Sequence, residues 1–152
     1  MKKQGLLVVF ACILLIACSN QNVKSSVSKG EKEKYVDDIM SSLLIATDTL
    51  YDAYYMKSQH YKGSLEEIED NLAPIEEAME KYKNIGPPPV SDLNHLYNLV
   101  GKSINTVNDF IKYAPNAIFN NDPQFDEKYK KVENTISPYL SEINDITTQL
   151  GI

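Results

Sequence analysis

The chain has 152 residues, with 15 basic and 21 acidic side chains, a net charge of −6, ten tyrosines, no tryptophan, and lysine as its only basic residue. Such a length bounds the molecule to one ordinary domain, and a hydrophobic content of 43% is too high for a disordered tail. An acidic chain without arginine also argues against nucleic acid, whose phosphates call for a basic face.

In chain order, the first feature is an address. Lys2 and Lys3 give a positive start, and Gly5 to Ala17 form an uncharged run of 13 residues rich in Leu, Ile and Val. A spanning helix needs about 20 apolar residues, whereas runs of about 10–14 suit the core of a signal peptide. The polar run Ser19-Asn20-Gln21-Asn22 follows at once. Residues 1–17 are therefore expected to be a signal peptide.

The end of the run is more specific. Leu15-Ile16-Ala17-Cys18 is an aliphatic residue, a tolerant position, a small residue and a cysteine. These residues resemble the lipobox of bacterial lipoproteins. The resemblance implies lipidation of the Cys18 thiol, cleavage after Ala17, and Cys18 as the new N-terminus. A thiolate is the natural nucleophile for that alkylation. Two or more acyl chains, at roughly 0.8 kcal/mol per buried methylene, suffice for stable anchoring. The resemblance thus places the mature protein on the extracytoplasmic face of the cell membrane. In a two-membrane cell, Ser19 after the cysteine would favour the outer membrane. Cys12 would be discarded with the signal peptide and Cys18 capped by lipid, which leaves no thiol for a disulfide or a metal. The mature chain would carry 13 lysines against 21 acids. Lysine without arginine, beside abundant Asn and Ile, suits a low-GC bacterium.

Residues 18–31 comprise the lipidated Cys and a Ser-, Asn-, Lys- and Gly-rich stretch expected to act as a flexible tether. A helical domain is expected over 32–152. Its first segment runs from Lys32 to Ser58, with Val36, Ile39, Leu43, Ala46, Leu50 and Ala53 on one face. The second opens with the capping box Ser64-x-x-Glu67 and carries Leu65, Ile68, Leu72, Ile75, Met79 and Tyr82. The third follows Gly86-Pro87-Pro88-Pro89, with Ser91 as its N-cap and a stripe from Leu93 to Ile111 that ends at Pro115. The fourth begins at Asp122-Pro123, a cap followed by proline at the first helical position, and keeps its stripe from Phe125 to Leu150. Gly63 and Gly86 are expected to stop the first two helices.

No stretch alternates with period two, so no strands are expected. A 3-4 stripe pairs helices lengthwise at about 20°, and four of them joined by short loops close one core. The expected fold is all-α, an up-down-up-down four-helix bundle. Pro74 and Pro138 interrupt the second and fourth segments without shifting the apolar register, which predicts two proline-kinked helices.

Reactive constellations are sparse. Asp92-x-x-His95 puts a carboxylate and an imidazole on one helix face, but di-iron bundles need two Glu-x-x-His pairs and two further Glu. His95 is expected to be an exposed polar residue. No C-x-x-C-H is present for haem, no EF-hand loop for calcium and no G-x-S-x-G for a nucleophile. The acids from Glu66 to Glu80 suit a solvated helix face. No cofactor, metal or catalytic residue is expected.

The tyrosines are the least ordinary feature. Tyr51, Tyr54, Tyr55 and Tyr61 crowd the end of the first segment; Tyr54 is expected to face the core, and the i,i+4 pair Tyr51 and Tyr55 forms a candidate interaction surface. Ile118 and Phe119, in the loop Asn116 to Asn121, are expected to plug one end of the bundle or else to form an exposed apolar contact point. The organisation resembles the small helical lipoproteins of low-GC bacteria. It implies a membrane-anchored, non-enzymatic module that acts through an unidentified protein partner. The rival expectation is a small-ligand or cation-binding bundle with its site near Pro74 and Pro138.

Overall fold

A computed structural model describes residues 27–151. The signal peptide, the lipobox, Cys18 and most of the expected tether lie outside them. The described residues are all-α, with no strand among them.

Helix α1 spans Lys29–Ser58. Its start is fixed by a capping box: the Ser28 hydroxyl accepts from the Glu31 N–H at 3.2 Å, and the Glu31 carboxylate accepts from the Ser28 N–H at 2.8 Å. Those bonds to the charged form hold Glu31 below the usual carboxylate range. The helix thus begins before Lys32, and the last residues expected in the tether are its first turn. All six residues of the predicted stripe, Val36 to Ala53, are buried. The chain leaves α1 through His60, at a left-handed φ of 51°, rather than at Gly63. Gly63 instead makes room for an aromatic ring, since a Cβ there would overlap the side chain of Tyr61.

The predicted second segment is two helices, not one kinked helix. α2 spans Leu65–Leu72 from the expected Ser64–Glu67 capping box, and α3 spans Pro74–Ile85. Proline cannot donate to the Asp70 carbonyl, which instead accepts from the Ala73 N–H in a tighter turn at 3.3 Å. A new helix then starts with Pro74 at its first position, where a missing N–H costs nothing. Ile68, Leu72, Ile75 and Ala78 still share the buried side. α3 stops at Gly86, with φ at 69°, as expected.

Ser91 makes no side-chain cap; it opens a 3-10 turn, Ser91–Leu93, that runs into α4, Asn94–Ile111. Pro115 does not end the helical structure either. It sits in the first turn of the short helix α5, Ala114–Phe119, so Ile118 and Phe119 are helical rather than loop residues. Ile118 is buried, whereas Phe119 is 53% exposed and plugs nothing. Helix α6 spans Phe125–Leu150, two residues later than Asp122-Pro123 suggested. Asp122 still serves the entry, because its carboxylate accepts from the Gln124 N–H at 2.8 Å. Pro138 lies inside α6 on an exposed face, and the helix continues through it.

Cross-helix bonds give the directions. Lys32 near the start of α1 meets Asp92 just before α4 at 2.7 Å, so these helices start at the same end. The Tyr35 hydroxyl donates to the carbonyl of Gly86 beyond α3 at 2.8 Å, so α3 runs the other way. His95 at the start of α4 meets Glu142 in the second half of α6 at 2.6 Å, so α6 opposes α4. α1 packs along α3 and α4, α4 packs along α3 and α6, and α2 with α5 covers the end at which α1 finishes. The core runs from Val36 and Ile39 through Leu96, Val100 and Ile104 to Phe125, all essentially without solvent contact. Between α1 and α6 the helices stand apart and leave a groove.

Candidate functional site

The groove takes its walls from two stripes. Along α1, Thr47, Leu50, Tyr51 and Tyr54 recur by threes and fours; along α6, Tyr129, Glu133, Ile136 and Leu140 do the same. Leu50 and Ile136 belong to the core and form the floor. Tyr51 and Tyr54 stand on the wall because Leu50 and Ala53, the residues directly before them, take the core-facing positions of α1.

Tyr51, Tyr54 and Tyr55 are 61%, 41% and 54% exposed. Tyr54 is therefore not a core residue. Its ring instead stacks on Tyr129 of α6, with centroids 4.7 Å apart and planes at 29°. A tyrosine one turn beyond the floor reaches across the gap, and the stack spans the groove. Tyr129 is buried beneath it and packs edge-on to Phe110 at 6.0 Å. Burial, and then the neighbouring Glu133 carboxylate, push the Tyr129 hydroxyl up to about 12. Both disfavour a second negative charge there.

Tyr51, Tyr54 and Tyr129, together with Asp126, Lys130 and Glu133, enclose a hollow of about 420 Å³. It runs into a more apolar hollow of about 510 Å³ over Leu50, Ile136 and Leu140. Asn134 and Ser137 line that second part, and the Asn134 carbonyl is the one that Pro138 cannot satisfy. A third hollow, beyond Tyr54, reaches Lys57, Asn121 and Asp122. Of the candidate pair, Tyr51 lines the groove, while Tyr55 is exposed beside it. Tyr54 and Tyr129 complete the surface, although the sequence pattern marks Tyr129 only as a core residue.

The other candidates are not brought together. Asp92 pairs with Lys32, which holds its carboxyl low, and His95 pairs with Glu142. The Asp92-x-x-His95 motif thus serves two separate helix contacts. His95 is exposed, as expected. The acids from Glu66 to Glu80 are exposed on α2 and α3, and Glu67 is used as a cap. Among the described residues, no three His, Cys, Asp or Glu side chains are grouped to hold a metal. No helix among them is long and apolar enough to cross a membrane. No buried side-chain nitrogen or oxygen lacks a hydrogen-bond partner among them.

No family model matches the chain, and no curated protein or solved structure matches it either.

Proposed function

We propose that the chain is a bacterial lipoprotein whose helical domain acts as a non-enzymatic protein-interaction module. Cleavage after Ala17 and lipidation of Cys18 anchor it on the extracytoplasmic face of the cell membrane, or in the outer membrane of a two-membrane cell. The helices are proposed to form an up-down-up-down four-helix bundle, with α2 and α3 together as its second member. The opposed directions of successive members support that reading.

The observation that carries the functional half is the position of the exposed tyrosines. α1 has 30 residues and extends for about 45 Å at 1.5 Å per residue. Its start at Lys29 is the end tied to the membrane, so Tyr51 lies about 35 Å along the helix from that end. Tyr55 and Phe119 lie further out on the same distal end. Aromatic side chains at that distance from the bilayer are presented to another macromolecule rather than to the protein's own membrane. Tyrosine suits such a surface because its ring buries area while its hydroxyl finds a partner.

Two measurements test the reading. Intact mass of the protein from cell envelopes should show a chain beginning at Cys18 with fatty-acyl adducts, lost in Cys18→Ser. A photoreactive residue at position 55 should cross-link one protein in intact cells, and adding Tyr51→Ala to that chain should abolish the capture. A full-length, unlipidated chain refutes the anchor; capture that survives Tyr51→Ala refutes the surface.

A further inference from the structure

The proposed interaction role leaves open what the groove accepts. We infer that the groove between α1 and α6 receives a guanidinium group, an arginine side chain on a basic segment of the partner protein. This inference rests on the proposed interaction role and specifies its chemistry.

Three observations point to a cation. First, the rings of Tyr51, Tyr54 and Tyr129 line one hollow with the carboxylates of Asp126 and Glu133, and neither carboxylate forms a salt bridge among the described residues. Lys130 lies on the same wall and offsets one of the two charges, which leaves the lining acidic. Second, the fold covers other aromatic rings with its own ammonium groups: Lys128 stands 3.8 Å from the Tyr113 centroid, Lys57 is 5.8 Å from Phe125, and Lys102 is 5.9 Å from Tyr139. Among the described residues, no ammonium lies over Tyr51, Tyr54 or Tyr129. Third, the whole chain is acidic, at −6, so a basic partner is attracted and a second copy repelled.

The choice of guanidinium over ammonium follows from shape. Tyr54 covers the Tyr129 ring, so the exposed aromatic surface of the hollow is that of Tyr54 and Tyr51, in one lining with the carboxylates of Asp126 and Glu133. A planar guanidinium stacks on such a surface and forks onto a carboxylate with two parallel bonds, which a compact ammonium cannot do. The apolar stretch over Leu50, Ile136 and Leu140 then accepts an aliphatic side chain of the same segment. The chain contains no arginine, so another copy of itself cannot supply the group.

The experiment uses the full-length lipidated protein in detergent micelles. Three fluorescein-labelled peptides of about four helical turns share leucine anchors and differ in carrying arginine, lysine or the neutral isostere citrulline. Binding is read by fluorescence anisotropy. The arginine peptide should bind at least tenfold more tightly than the citrulline peptide and more tightly than the lysine peptide. Glu133→Gln and Tyr51→Ala should each weaken the arginine peptide at least fivefold and leave the citrulline peptide unchanged. Lys130→Gln should tighten the arginine peptide. All three positions are exposed, and unchanged circular dichroism will show that the variants fold. Equal affinity for arginine and citrulline, or indifference to Glu133→Gln, overturns the inference. If that result accompanies an intact cellular cross-link at position 55, the interaction module stands and only the guanidinium is wrong. Absence of any cellular partner overturns the module itself.

Discussion

Gly101 offers the sharpest test of how the helices fit. It is a buried glycine in the middle of α4, where alanine would ordinarily be better by about 1 kcal/mol. The structure gives the reason for glycine. The Tyr82 side chain of α3 lies directly over it, donates its hydroxyl to the Tyr97 carbonyl at 2.9 Å and stacks on the Tyr97 ring at 4.6 Å. A Cβ at position 101 would overlap that hydroxyl and sit 2.7 Å from its Cζ. Gly101→Ala must therefore move the ring. Losing the hydrogen bond costs about 1 kcal/mol and losing the stack about another 1 kcal/mol. Set against the gain in helix propensity, the net effect is a destabilisation of about 1 kcal/mol.

A second background makes the sign decisive. Tyr82→Leu removes the hydroxyl, Cζ and Cε1 that the new methyl group would meet. In that background Gly101→Ala has only its propensity effect and should stabilise the protein by about 1 kcal/mol. The two substitutions therefore couple by about 2 kcal/mol. Urea unfolding of the four proteins, followed by circular dichroism, measures the cycle. Additivity within about 0.5 kcal/mol would refute the claim that Tyr82 dictates glycine at this position.

Phe125→Ala empties a fully buried site that packs against Phe110 at 5.3 Å; a loss of about 3–5 kcal/mol in chemical unfolding is expected, and a loss below about 1 kcal/mol would mean that the core is not built around this ring. Pro138→Ala restores a donor for the Asn134 carbonyl on an exposed helix face; the melting temperature should rise, by about 1–3 kcal/mol in stability, and a fall would show that the proline is needed for packing. In alkali, Tyr35, Tyr113 and Tyr129, each raised to about 12 chiefly by burial, should ionise well above the unfolded-chain value. Their folded values lie above the unfolded one near 10, so the stability they supply is complete below about pH 10 and is lost as the pH rises through 12. Tyrosinate absorbance should still be rising as the pH passes about 12, and that late rise should coincide with unfolding; a rise complete near pH 10 would contradict the burial argument.

What the sequence made legible was the short-range physics. Every residue of the stripes from Val36 to Ala53 and from Leu96 to Ile111 named from periodicity is buried, and the Ser64–Glu67 box caps where its spacing said it would. The Ser28–Glu31 box has the same spacing, but its polar, glycine-containing surroundings hid a helix start inside an expected tether. At the prolines, composition alone did not separate outcomes. A break and a kink at Pro74 preserve the same buried register, and the Ala73 bond to Asp70 is what turns one helix into two. Pro115 read as a stop because proline ends a helix it interrupts, yet in a first turn it can equally begin one. The groove was less legible still. Tyr51 and Tyr55 announced themselves as a pair, but Tyr54 and Tyr129 meet across 75 positions of chain, a contact made by helix packing and by no local pattern. Gly101 is silent for the same reason, since its partner Tyr82 belongs to another helix.

The two ends of the domain differ in kind, and the difference follows from the same contacts. At the start of α1 the polar groups are closed on one another: Lys32 with Asp92, the Tyr35 hydroxyl with Gly86, His95 with Glu142. At the other end Tyr51, Tyr54, Tyr55 and Phe119 stay exposed, and the Asp126 and Glu133 carboxylates have no salt-bridge partner among the described residues. Under the proposed anchoring the first end faces the bilayer. An acidic domain is repelled by an anionic lipid surface, and that repulsion fades within about 8–10 Å at physiological salt. A groove some 35 Å along α1 lies well beyond that layer, where the field at its carboxylates is the protein's own. A basic partner would thus be drawn to the far end rather than compete with the lipid headgroups. Circular permutation that puts the lipidated N-terminal cysteine in the loop before α4 leaves the near end unchanged, because α4 starts where α1 starts. Permutation that opens the chain at the turn of His60 and puts the lipidated cysteine there instead would press the groove against the membrane. Cross-linking at position 55 should survive the first rearrangement and vanish in the second.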